Sequence, residues 1–156
     1  MPNSPFGFDR PEDSLGFLLW QTTTTWQRLL RNALDKHKVS HSHFVVMATT
    51  LWFQEKKQQV TQVMLVKLTK LDKMTVSKAL KRLADRGFVK REEDQIDTRA
   101  KTVKLSNKGK ELISKLVPIV EKNDEQFFSV LGAKQQKSLL QIFNKILSSV
   151  NQDERQ

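Results

Sequence analysis

Between Asp72 and Ser106 the hydrophobic period of the chain changes once, at Gly87. Before the glycine, KMTVSKALKRLADR places Val76, Ala79, Leu80 and Leu83 on one side at helical spacing. After it, FVKRE (88–92) and AKTVKLS (100–106) alternate in polarity and flank a polar loop, the pattern of a β-hairpin. Asp72 suits the N-cap of this helix, and Gly87 suits a left-handed C-cap. A helix that stops at a glycine and runs straight into two basic strands leaves few folds open. With two short helices before it and a tight turn at Leu71–Asp72, the arrangement predicts a winged helix-turn-helix.

The rest of the chain reads as helix. Leu15, Leu18, Leu19, Thr22, Trp26, Leu29, Leu30 and Ala33 form one face of a long helix from Asp13 to about Lys36. Phe17 and Trp20 lie on its opposite face, which hints at a second partner there; packing against the N-terminal tail is the plainer alternative. Ser40 caps a second helix over 41–54. A third spans about Val60–Lys70, with Val63, Met64 and Leu68 expected inward. Ser106 caps a long helix through about Phe128, which Pro118 should kink. Gly132 interrupts the pattern, and 135–150 carries a last stripe of Leu139, Leu140, Phe143, Ile146, Leu147 and Val150. The expected fold is mostly α with a small β-hairpin wing. Residues 13–54 and 107–150 form a helical dimerisation part, 55–106 the winged helix-turn-helix, and 1–12 an irregular N-terminal arm.

Charge is concentrated in the middle of the chain. Lys56–Lys110 holds 16 Lys/Arg and 6 Asp/Glu, a net +10, while the remainder holds 11 of each. A localised basic block is the footprint of a polyanion binder, although a lysine-rich solvated face would look similar. The outward side of the 73–85 helix presents Met74, Ser77, Lys78, Lys81, Arg82 and Asp85. Its cations span about the width of a major groove. Thr75 and Ser77 sit near the helix N-terminus, where base-edge or phosphate contacts arise.

The stretch 71–112 resembles the MarR (multiple-antibiotic-resistance regulator) family of transcription factors. Three motifs carry the likeness: Leu83, Gly87, Phe88, Val89 and Arg91; then Asp97 and Arg99; then Leu105, Ser106 and Gly109. The order of elements over about 13–150 fits as well. The resemblance implies an obligate dimer held by N- and C-terminal helices. It implies binding to a roughly palindromic operator on double-stranded DNA, usually as a repressor released by a small molecule. The family often has a proline shortly before the aspartate of the wing; here EEDQID lacks it. The expected DNA contacts are Lys73, Thr75, Ser77, Lys78, Lys81, Arg82, Arg91, Asp97, Arg99 and Lys101. Asp97 lies two residues from Arg99 on an extended strand and shares its face. It would hold the guanidinium ready for the minor groove, or form only a structural ion pair. Effectors of the family bind between the dimer helices and the DNA-binding part. Trp26, Phe44, Met47 and Trp52 are the candidate lining there, with ordinary core packing as the alternative.

Other functions are disfavoured. The chain has no Cys and no Tyr, no nucleophile elbow and no glycine-rich phosphate loop, so no enzyme and no cofactor is expected. His41 and His43 are two apart on a helix and diverge, so no metal site is expected with His37. No apolar run approaches the ~18 residues of a membrane span, and no basic n-region marks a signal peptide, so the expected location is the cytoplasm. A nonspecific or architectural DNA-binding protein and a winged-helix protein-interaction module remain as alternatives.

Overall fold

The computed structural model describes residues 4–93 and 101–153. After a single 3-10 turn at Pro11–Asp13 come helices α1 (Leu15–Asp35) and α2 (His41–Glu55). A two-residue strand β1 (Val60–Thr61) leads into α3 (Gln62–Thr69) and α4 (Lys73–Asp85). Strands β2 (Val89–Glu93) and β3 (Lys101–Leu105) follow, then α5 (Asn107–Phe128) and α6 (Ala133–Asp153). The helices start where side chains can satisfy their free N–H groups. Ser14, Ser40, Thr61 and Asp72 accept from the backbone N–H three residues on in α1, α2, α3 and α4. Each such cap contributes about 1 kcal/mol.

The three strands form one antiparallel sheet in the order β1-β3-β2. Val89 pairs with Leu105 and Arg91 with Val103, while Val60 pairs with Val103 from the other side. The strand β1 is absent from the hairpin expectation. A two-residue strand carries no alternation to detect, and only its pairing with β3 defines it.

The chain divides into two compact units, residues 1–120 and 121–156. The first has a single buried cluster drawn from α1, α2, α3, α4, the sheet and the start of α5, including Leu30, Leu34, Val46, Met47, Leu65, Val76, Leu80, Leu83, Val103, Ile113 and Leu116. The second consists of the end of α5, the loop and α6. Among its described residues, Leu140, Ile142, Phe143, Ile146, Leu147 and Val150 are all exposed. Helix α5 continues unbroken through Pro118.

One facial assignment changes. In α3 the buried residue is Leu65, with Met64 and Val66 partly covered, whereas Val63 and Leu68 are exposed at 74% and 54%. This two-turn helix is apolar on nearly every side, so its period selects no face; packing on α2 and α4 does. In α1 the buried residues are Leu30 and Leu34, Trp26 packs partly covered against the same core, and Leu15, Leu18 and Leu19 are exposed together with Phe17 and Trp20.

Candidate nucleic-acid interface

The turn between α3 and α4 is held at each residue. Lys70 ends α3 in the left-handed conformation, φ 61°. The Thr69 hydroxyl donates to the Leu65 carbonyl and accepts from the Leu71 N–H. Asp72 then accepts from the Thr75 N–H at 2.8 Å and from the Thr75 hydroxyl at 2.6 Å. The Thr75 hydroxyl, and after it the Thr75 N–H, hold the Asp72 carboxyl below the usual carboxylate range. The Thr75 hydroxyl proton is therefore committed to the cap, and toward solvent that oxygen acts as an acceptor.

Helix α4 divides as its sequence indicates. Val76, Ala79, Leu80 and Leu83 are buried. Lys73, Lys78, Lys81, Arg82 and Asp85 are exposed, and Ser77 is half-buried. Four buried aliphatics lock the rotation of the helix about its axis. The cations on the other side are presented as one ridge.

The end of α4 is clamped to the start of α5. Gly87 adopts φ 77°, which a residue with a Cβ enters only with strain. The Ser106 hydroxyl donates to the Gly87 carbonyl at 2.6 Å and accepts from the Gly109 N–H, while the Ser106 N–H donates to Phe88 O. Lys108 donates to the Arg86 carbonyl, and the cations of Arg86 and Lys108 each lie 4.9 Å from the Phe88 ring centroid. The Leu-Ser-x-x-Gly segment at 105–109 is thus the hinge pin that sets the wing against α4.

In the wing, strand alternation places Val89, Arg91, Lys101, Val103 and Leu105 on one face and Lys90, Glu92, Thr102 and Lys104 on the other. Arg91 is half-buried and Lys101 exposed. The register sets Glu93 opposite Lys101, and Lys90 opposite Lys104. Gln54 of α2 accepts from the Leu105 N–H at 3.0 Å, where β1 no longer covers β3. Asp97 and Arg99 lie outside the described residues.

The proposed effector lining is distributed through the first unit. Phe44 and Met47 are buried core residues. Trp26 packs against that core and meets His41 edge-on at 5.2 Å. Trp52 is half exposed, edge-on to Phe53, with the Lys56 ammonium 6.0 Å from its ring. Among the described residues no cluster of His, Cys, Asp and Glu could hold a metal ion, and no helix is long and apolar enough to cross a membrane.

A second basic feature was not legible in the sequence. A recess of about 420 Å³ is lined by Lys38, Ser40, His43, Arg82, Asp85 and Arg86. Arg86 donates to the Lys38 carbonyl at 2.8 Å and ties the α1–α2 turn to α4. Burial, then the charges of Arg86 and Arg82, push the His43 imidazole below the ordinary histidine range. Lys38 and Arg82 are 44 residues apart in sequence, so no local pattern could have joined them.

A capped cationic helix, stopped by glycine and followed by a basic hairpin, defines a winged helix-turn-helix protein. Comparison with known proteins places it more closely. Residues 35–122 match the family described as ArnR1-like, winged-helix domain. An uncharacterized HTH-type transcriptional regulator, YdcH of Bacillus subtilis, is 34% identical over 128 residues, covering 82% of this chain and 87% of YdcH. BpsR of Bordetella bronchiseptica superposes with a TM-score of 0.79 at 22% identity, covering 92% of this chain and 97% of that one. A point mutant of MarR from E. coli, complexed with operator DNA, superposes at 0.75 and 24% identity, covering 85% and 93%. The chain belongs to the ArnR1-like winged-helix family, and its relative YdcH is an HTH-type transcriptional regulator. The chain is a DNA-binding regulator of transcription rather than an enzyme.

Proposed function

We propose that the protein is a homodimeric repressor of a roughly palindromic operator, released by a small molecule. The observation that carries the DNA reading is α4 itself. Its rotation is locked by four buried aliphatics, and its outward ridge holds Ser77, Lys78, Lys81 and Arg82. In this reading 55–106 carry the base and wing contacts, and 13–54 and 107–150 the dimer contacts. Residues 1–12 form an arm, and the site of action is the cytoplasm. Release by a small molecule draws on BpsR, whose DNA binding is regulated by 6-hydroxynicotinic acid. Here the ligand would meet the Trp26, Phe44, Met47 and Trp52 region.

Binding-site selection from random DNA tests the reading, because it returns site, symmetry and half-site spacing together. The selected palindrome should bind ~10³-fold or more tightly than random duplex. Equal affinity for all sequences would mean an architectural DNA binder. Within the complex, Ser77 and Lys78 approach bases, and Lys73, Lys81, Arg82, Arg91 and Lys101 contact phosphate. Lys81→Ala should weaken binding to every duplex and lower the salt slope by about one. Lys78→Ala should cost ~1–3 kcal/mol and relax one operator position. If both leave affinity unchanged on every DNA, α4 is not in the groove.

For the wing, Arg99 inserts into the minor groove and Asp97 positions it. Arg99→Ala should cost on the order of 1–3 kcal/mol in operator binding. Removing the Asp97 charge would tighten binding if only net charge mattered; positioning requires weaker binding. The double variant should match Arg99→Ala, since nothing is left to orient. Tighter operator binding by a folded Asp97→Ala protein would refute the positioning role.

A further inference from the structure

We infer that the recess formed by Lys38, Ser40, His43, Arg82 and Arg86 seats a phosphate of the DNA backbone and takes up a proton on His43 when it fills. The inference rests on the DNA-binding reading above and adds to it a contact from outside the helix-turn-helix and wing.

Three observations converge on this recess. It is concave and about 420 Å³ in volume, large enough for a phosphate group. It is lined by three permanent cations, Lys38 from the α1–α2 turn and Arg82 and Arg86 from α4, against the one carboxylate of Asp85. It is also continuous with the outward ridge of α4, because Arg82 belongs to both. A duplex lying along Lys78 and Lys81 therefore passes its mouth. Arg86 is fixed in place by its bond to the Lys38 carbonyl and by the Phe88 ring beneath it. A fixed guanidinium loses little freedom when it meets an oxyanion.

His43 makes the site responsive to pH. In the free protein its imidazolium is disfavoured by burial first, then by Arg86 and Arg82. A phosphate seated among the same groups screens both arginines and offers an acceptor for a ring N–H. The charged imidazole then becomes the favoured form. DNA binding should therefore take up a proton, and affinity should rise as pH falls. The groups facing His43 are Lys38, Arg82, Asp85 and Arg86. Of these groups and His43 itself, the imidazole is the one assigned the response.

The test uses the full chain, the selected operator duplex and two substitutions away from the α4 ridge. Lys38 has φ 56°, so Lys38→Gly removes the ammonium at a position where glycine is conformationally at ease, and the fold should be retained. It should weaken binding to operator and random duplex alike, about fivefold at low salt, and lower the salt slope by about 0.9. His43→Gln should lose the gain in affinity, about fivefold, that wild type shows between pH 8 and pH 6. By NMR, the duplex should raise the His43 titration midpoint, and inorganic phosphate at the same phosphate concentration should leave it unmoved. The inference is overturned if the duplex leaves His43 unmoved, if both variants keep the wild-type salt slope and pH response, or if inorganic phosphate shifts His43 as strongly as DNA does. Those outcomes leave the broader reading intact, whereas a wild-type chain that binds no duplex at all removes that reading itself.

Discussion

Gly109→Ala should unfold the winged helix or leave it barely stable, although it adds a single methyl group. A Cβ at 109 would fall inside van der Waals contact of the Phe88 carbonyl oxygen, 2.9 Å from its carbon and 3.3 Å from Leu105 Cδ2. The obstacle is backbone, so no rotamer change relieves it. The start of α5 would have to withdraw from the hairpin. That movement breaks the Ser106 N–H bond to Phe88 O and the Ser106 hydroxyl bond to Gly87 O. It also opens the core around the buried Phe88 and Leu105. Overpacking typically costs 1–3 kcal/mol, and each abandoned hydrogen bond about 1 kcal/mol more, so a loss of about 4 kcal/mol is expected. That is a large share of the 5–15 kcal/mol of an ordinary domain. Urea unfolding followed by circular dichroism measures it. Gly132→Ala is the control: nothing lies within 4 Å of its Cβ and its φ is unstrained, so a change within about 0.5 kcal/mol is expected. A Gly109→Ala protein as stable as the control would show that the hairpin and α5 are not locked at this contact.

The second large effect concerns assembly. Within one chain, α6 leaves Ile142, Phe143, Ile146 and Leu147 exposed, and α1 leaves Phe17 and Trp20, the latter at 68%. Contiguous exposed apolar surface is what a protein–protein interface covers. Our proposal that these faces form the homodimer predicts a specific failure. Ile146→Asp with Leu147→Asp would bury two unpaired carboxylates per subunit, at several kcal/mol each. The variant should sediment as a monomer at micromolar concentration where the wild type sediments as a dimer. Operator affinity should fall by 100-fold or more, because one subunit reads only one half-site. The variant is also a check on folding, since α6 contributes no residue to the buried cluster of the first unit. A monomeric wild type in the ultracentrifuge, or a variant that still dimerises, would remove the assignment.

Helix α4 was readable from its own residues. A single period of 3.6 puts Val76, Ala79, Leu80 and Leu83 inward, and Asp72 and Gly87 mark its ends, because caps and faces are local properties of the chain. The hairpin was readable for the same reason, its period of two being set by the backbone alone. The first unit's tertiary packing decided what local period could not. Helix α3 is apolar almost all round, so contact with α2 and α4 chose Leu65 over Val63 and Leu68. Strand β1 exists only because β3 offers Val60 and Thr61 hydrogen-bonding partners. The purpose of Gly109 is invisible without the Phe88 carbonyl it faces. The His43 recess requires the α1–α2 turn to be brought against α4, as Arg86 does by binding the Lys38 carbonyl. Local sequence can encode where a helix begins, ends and turns its greasy side. Which groups from distant segments share one volume of space is set only when the core closes, and in this protein that closure builds the basic recess.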